Sequence, residues 1–321
     1  MSPDRVRRRR ALAAIIAVSL VGLALAWAAD GDRDGDPTDA RRTELAAEAW
    51  TLAPHEGVGT WIDVYDWTDE FTGGQPAVDL DDIDRMAEVG IETVYVQTAH
   101  NRSVAKGVIE PDRLEALIDR AHERGLHVVA WYLPPLTDIE ADLGRLVASA
   151  GLPVDGLGVD IESLEVTDIA ERNRRLLDLT ARLRADMGDD RVLAAITPSP
   201  IHLQVVNANF WPTFPWVELG GAYDVILPMA YWSIRHEALR DGERYVGDDI
   251  DRVRAATGDP EIPIHAIGGI ADAIPADQVA GMVRAIQARG VLGGSLYDWV
   301  TSSPEQWAAM APLHTAPETG S

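Results

Sequence analysis

From Gly57 onward, short runs rich in β-branched and aromatic residues alternate with longer stretches whose apolar positions recur at helical spacing. The short runs predict strands over 59–65, 93–98, 127–132, 156–162, 192–197, 225–231, 262–267 and 292–299. The intervening periodicity predicts helices over 79–89, 111–124, 138–149, 167–187, 248–257, 275–289 and 304–310. Asp81, Asp82 and Asp84 crowd the start of the first, where the backbone dipole favours negative charge. Pro111 opens the second, at a position where the missing N–H costs nothing, and Gly125 stops it. Residues 198–221 follow no clear period and predict a long loop with one short helix. Eight strands alternating with helices over about 250 residues predict an α/β fold, a (β/α)8 TIM barrel spanning 55–315. The rival, an open doubly wound sheet, calls for a glycine-rich phosphate turn after strand one, and none is present.

The first 29 residues follow a different pattern. Arg5 and Arg7 to Arg10 precede an uncharged apolar run, 11–29, in which Ala24, Ala26 and Ala28 offer A-x-A-like cleavage sites. The run is also long enough to span a bilayer as a helix, so the segment reads as a signal peptide or an N-terminal membrane anchor. In both cases the basic flank stays inside and the remainder is exported, to the extracellular space or the cell surface. Residues 30–54 read as a polar linker with a short helical pattern over 43–50. Membrane contact is expected through this N-terminal segment alone.

Composition narrows the chemistry. Fifty-two acidic residues against 28 basic ones give a formal charge of −24. Dropping residues 1–28, with five arginines and one aspartate, deepens it to −28. Such a surface repels phosphate backbones, so nucleic acid is not an expected partner. The absence of cysteine excludes disulfides, thiolate metal sites and cysteine nucleophiles. The histidines show no ligand spacing, and no metal or cofactor is expected. Ser199 lies in no nucleophile-elbow context.

Barrel chemistry sits at the C-terminal ends of the strands. Half of the ten tryptophans are predicted there: Trp61 and Trp67 on strand one, Trp131 on three, Trp232 on six and Trp299 on eight. Indole offers a flat apolar face to a sugar ring and an N–H to its hydroxyls. Strand four is the sharpest signal. Alternation puts Leu157, Val159 and Ile161 on one face and Gly158, Asp160 and Glu162 on the other. With the aliphatic face under the outer helices, both carboxylates point into the barrel. Burying an unpaired carboxylate costs several kcal/mol, so the pair is read as functional, with an arginine ion pair or metal ligation as the alternatives. Crowding also separates their pKa values, leaving one protonated and able to act as general acid in glycosidic cleavage.

At these residues the chain resembles glycoside hydrolase family 18, the chitinase-like barrels. The family's strand-four pattern D-x-x-D-x-D-x-E appears here as Asp155, Gly158, Asp160 and Glu162, three of its four acidic positions matching. Strand six, Leu227 to Trp232, is similar to its M-x-Y-D, with Trp232 in place of the final Asp. The stretch Gly293 to Trp299 is similar to its last strand, which ends in a tryptophan at the floor of the sugar site. The resemblance implies Glu162 as general acid/base, Asp160 as the residue orienting a substrate acetamido group, and Tyr231 as its hydrogen-bond partner. The acetamide carbonyl then acts as nucleophile. The chain departs from the family at Gly158, at Trp232 and on strand three, where Val129-Ala130-Trp131-Tyr132 lacks S-x-G-G.

A substrate without an acetamide requires a second carboxylate. Parity on strand one turns Trp61, Asp63 and Tyr65 inward, whereas Asp298 follows Leu296 outward and is held in reserve. Asp66 reads as loop surface, and His265 as a core histidine. Catalytic candidates are thus Glu162, Asp160 and Tyr231. Substrate-binding candidates are Trp61, Asp63, Gln97, Trp131, Met229, Trp232, Tyr297 and Trp299, with His100 a weaker one. The leading expectation is an exported glycosidase acting on a cell-wall or extracellular polysaccharide. Its rivals are a carbohydrate-binding barrel that has lost the chemistry and a metal-dependent hydrolase or deacetylase.

Overall fold

Eight strands close into a ring in chain order, every neighbouring pair parallel. They are β1 (Gly57–Ile62), β2 (Thr93–Gln97), β3 (His127–Tyr132), β4 (Gly156–Asp160), β5 (Leu193–Pro198), β6 (Val225–Ala230), β7 (His265–Gly269) and β8 (Gly293–Tyr297). Gly57 opposite Gly293 joins the last strand to the first. This computed structural model describes residues 50–315. The expected signal or anchor segment, the linker up to residue 49 and most of the 43–50 helical pattern lie outside the described residues. Among the described residues no helix is long and apolar enough to cross a membrane.

The helices are α1 (Val64–Trp67), α2 (Asp69–Thr72), α3 (Leu80–Glu88), α4 (Pro111–Glu123), α5 (Ile139–Ala150), α6 (Ile169–Met187), α7 (Trp216–Ala222), α8 (Gly242–Thr257), α9 (Ala276–Arg289) and α10 (Pro304–Met310). Most begin on a side chain that accepts from the first-turn N–H groups: Asp79 for α3, Asp138 for α5, Asp168 for α6, Asp241 for α8 and Ser303 for α10. Residues 198–221 hold a wide helical turn, His202–Val206, besides the expected short helix α7.

Several ends differ from expectation. Strand one stops at Ile62 because Asp63 accepts from Tyr65 N while Asp66 accepts from Asp63 N, a reciprocal cap that starts α1. Tyr65 therefore leaves the barrel wall and stands half-exposed on α1. Strand four ends at Asp160, so Glu162 lies just past it. β7 runs later than expected, with Ile264 contributing only an isolated bridge to Ile226. α8 begins six residues before the predicted helix, at the Asp241 cap.

Two apolar layers result. The outer one lies between strands and helices and takes Val58, Val94, Val128, Leu157, Val159, Ile226 and Leu296. The inner one fills the barrel with Trp61, Tyr95, Val129, Trp131, Ile196, Leu227, Met229 and Ile267. Residues 52–56 plug its N-terminal end. There buried His55 lies 3.2 Å from the Tyr95 hydroxyl, and its carbonyl lies 2.9 Å from His265 Nδ1.

Candidate active site

Strand four keeps the predicted alternation. Leu157, Val159 and Ile161 belong to the outer layer, and a Cβ built on Gly158 would point inward, 2.9 Å from Ile196 Cδ1 and 3.5 Å from Trp131 Cβ. Asp160, two residues on, is opposite Ile196 in the register and only 6% exposed, with Oδ1 unpartnered. Glu162 is half-buried at the mouth. Burial, and then the charge of Glu162, raises the Asp160 carboxyl well above its usual range. Burial raises Glu162 as well. Both shifts favour the protonated form, the state a general acid requires. No arginine pairs with either carboxylate among the described residues.

Tyr231 follows β6 and packs on the inner layer, its ring centroid 6.0 Å from that of Tyr297. Burial pushes its hydroxyl up, followed by the charges of Glu162, Asp160 and Asp298. Met229 also points inward. Gln97 ends β2, but its Oε1 accepts from Val64 N at 3.1 Å, so it holds the start of α1.

The expected ring of indoles is smaller than the sequence implies. Trp61 and Trp131 lie inside the barrel, their rings 5.8 Å apart edge to face. Trp61 stacks on Tyr95 at 4.3 Å and donates Nε1–H to Ser295 Oγ at 2.8 Å. Trp131 is 5% exposed and its Nε1 has no partner among the described residues. Trp232 is 1% exposed and packs outside the barrel, where the missing Cβ of Gly268 leaves room for its ring. Trp67 is likewise in the outer layer, donating to the Gln97 carbonyl. Trp299 stacks on Trp307 and donates to Asp82 Oδ1 at 3.0 Å. These three thus stand outside the inner layer that holds Trp61 and Trp131. Trp232 and Trp299 follow two residues past their strands' ends, and Trp67 ends the helix α1 that follows β1.

A second group of acids sits at the β1–β8 seam. Tyr297 OH donates to Asp63 Oδ2 at 2.8 Å, and one oxygen each of Asp63, Asp66 and Asp298 lies within 4.8 Å of the others. Asp66 is buried, not loop surface, and its carboxyl is pushed up to about 7 by burial and then by Asp63, with Asp298 adding. Burial also raises Asp298, whose Oδ1 accepts from Thr301. Asp298 thus joins the group against its strand parity, because β8 ends at Tyr297 and the chain turns there. The spacing of the three oxygens would admit a metal ion. The D-x-x-D spacing of Asp63 and Asp66 carries the capping signal that strand periodicity masked.

No protein-family model and no curated protein matches the chain. Solved structures do. The glycoside hydrolase domain of PgaB (BpsB) from Bordetella bronchiseptica is 14% identical at a TM-score of 0.59, over 82% of this chain and 99% of that one. The spore cortex-lytic enzyme SleL from Bacillus cereus is 9% identical at 0.60, over 83% and 76%. A chitinase from Chromobacterium violaceum is 16% identical at 0.53, over 82% and 100%. At such identities the likeness is one of fold, an eight-stranded barrel shared with glycoside hydrolases.

Proposed function

We propose that the protein is an exported glycoside hydrolase acting on a cell-wall or extracellular polysaccharide, with Glu162 as general acid/base and Asp160 as its partner. The observation that carries the reading is the carboxylate pair at the end of β4, buried Asp160 and half-buried Glu162, both raised by burial and both close enough to Tyr231 to raise its hydroxyl. The shared fold supports it, and so do the similar structures, which are a glycoside hydrolase domain, a cortex-lytic enzyme and a chitinase. The N-terminal sequence supports export.

Glu162 delivers its proton to the glycosidic oxygen as the C–O bond breaks, and later takes one from the incoming water. With an N-acetylated sugar, Asp160 and Tyr231 orient the acetamide, whose carbonyl oxygen attacks the anomeric carbon. With other sugars that task falls to a second carboxylate, and Asp63 is the candidate.

One observation favours a carbohydrate-binding barrel without turnover. The space beside Gly158, where the family carries an Asp, is taken by Ile196 and Trp131. Turnover of chitin oligomers, peptidoglycan and neutral glucans by wild type and Glu162→Gln separates the two. Hydrolysis by wild type and its loss in the variant uphold the proposal. Turnover that survives the change removes Glu162 from its role, and binding without turnover in both proteins favours the second reading.

A further inference from the structure

Many basic groups on this acidic protein are ion-paired along the helical flanks. Arg120 with Asp84 and Arg289 with Asp251 exemplify the flanks. By contrast, Arg102 and Lys106, in the loop after β2, and Arg235 and Arg240, in the loop after β6, form no ion pair among the described residues. β2 and β6 stand four strands apart in a ring of eight, so the two loops face each other across the barrel mouth. Glu162, after β4, lies on the rim between them.

The β2 side is built as a shelf. Tyr65 is 49% exposed and its hydroxyl accepts from Arg102 at 2.6 Å. The rings of Phe71 and His100 meet it edge to face at 5.3 and 6.2 Å, bracing an aromatic surface beside Asp63. His100 Nδ1 accepts from Arg102 N, which leaves Nε2–H as a free donor. Burial lowers the His100 pKa first, and Arg102 and Arg145 lower it further against the pull of Asp63 and Glu70. Arg102 and Lys106 thus bring positive charge to the shelf, on a chain of net charge −24 and beside the carboxylates of Asp63 and Glu70. Arg102 keeps part of its planar fork free, the shape that meets a carboxylate.

We propose that the mouth takes an anionic glycan, a saccharide chain bearing carboxylates, laid from the Tyr65–Arg102–Lys106 shelf across Glu162 to Arg235 and Arg240. This names the substrate class of the site and rests on the glycosidase reading above. Aromatic surface holds a sugar face, and the two cationic ends engage charges that recur along the chain. The carboxylate belongs either to an ether substituent on the sugar or to the ring carbon frame itself.

The test is calorimetric binding to the full-length Glu162→Gln protein, using two matched pairs. Chitin oligomers are compared with peptide-free peptidoglycan strands of equal length, which add lactyl carboxylates. β-1,4-Glucan oligomers are compared with their C6-oxidised, uronate counterparts. In at least one pair the carboxylate form should bind about tenfold tighter at low salt, an advantage that shrinks as salt screens it. The pair that shows it identifies the source of the carboxylate. Arg102→Gln/Lys106→Gln and Arg240→Gln, at exposed positions, should each cut the advantage severalfold with unchanged thermal melting. Equal affinity within both pairs, an advantage that survives both variants, or no binding of any oligomer overturns the inference. Wild-type cleavage of neutral oligomers only would sink it and leave the glycosidase reading standing. Anionic-selective binding with no cleavage at all would do the reverse.

Discussion

The hydroxyl of Tyr297 donates to Asp63 Oδ2 across the seam where β8 closes on β1, a 2.8 Å bond between residues 234 positions apart. It points the carboxylate that caps α1 toward the mouth and removes one of its free lone pairs. Burial, and then the charge of Asp63, raises the Tyr297 pKa, so the phenol stays a donor throughout the working range. If Asp63 takes part in turnover, its orientation depends on this bond. Tyr297→Phe should lower kcat/KM by about tenfold while costing only about 1 kcal/mol of stability. Steady-state kinetics beside urea unfolding checks both numbers. A variant with full activity would release Asp63 from any part in the site.

Asp66 makes stability depend on pH in a direction that can be worked out. Its carboxyl titrates near 4 when unfolded and at about 7 when folded. Between those values the folded state binds the extra proton, so its contribution to stability falls as pH rises, and the loss is complete above the folded value. Asp66→Asn keeps an acceptor for Asp63 N and removes the charge. Relative to wild type, the variant should gain roughly 4 kcal/mol between pH 4 and pH 8. Denaturant titrations at the two pH values measure it, and an equal difference at both ends would refute the assignment.

Gly158 is packed against its neighbour across the strand. A Cβ there would lie 2.9 Å from Ile196 Cδ1. Gly158→Ala should cost about 1–3 kcal/mol in the wild-type background. In an Ile196→Val background, which lacks that methyl, most of the cost should vanish. A double-mutant cycle read by thermal unfolding reports the coupling, and strict additivity of the two changes would show that the contact is not what excludes a side chain.

Trp131, opposite Gly158 on the neighbouring strand, holds a buried indole N–H with no partner among the described residues. Leaving a buried donor unsatisfied costs about 1–3 kcal/mol, which a ligand acceptor would recover. Trp131→Phe should leave stability equal or slightly raised while weakening saccharide binding by about tenfold. Calorimetry with the Glu162→Gln protein as background separates the effects. Unchanged affinity would assign the N–H to a trapped water.

The barrel was legible because its evidence is repetitive. Eight apolar runs at regular intervals, each followed by a helical period, leave few topologies open, and no single misread boundary overturns them. The inward face of Gly158 and Asp160 was legible for a similar reason: Leu157, Val159 and Ile161 must all share the covered face, and the alternate positions take what remains. Strand ends were less legible. At Asp63 a side chain competes for backbone N–H groups and starts a helix where alternation predicts more strand. That single cap moved Tyr65 from the wall to the rim and sank Asp66 beside Asp63.

The tryptophans mark the same boundary between local and tertiary information. Trp61 and Trp131 lie within strands, where parity holds, and both point inward. Trp232 and Trp299 lie just past strand ends and Trp67 lies in the helix after β1, where strand parity no longer applies. By itself the sequence determined the alternation of strand and helix, the face of β4 that carries the acids and the acidic balance of the surface, all of which are properties of neighbouring residues. Which groups meet at the mouth was decided by closure of the ring. Contacts such as Tyr297 with Asp63 join distant parts of the chain, and their geometry follows from how eight strands tilt and twist shut.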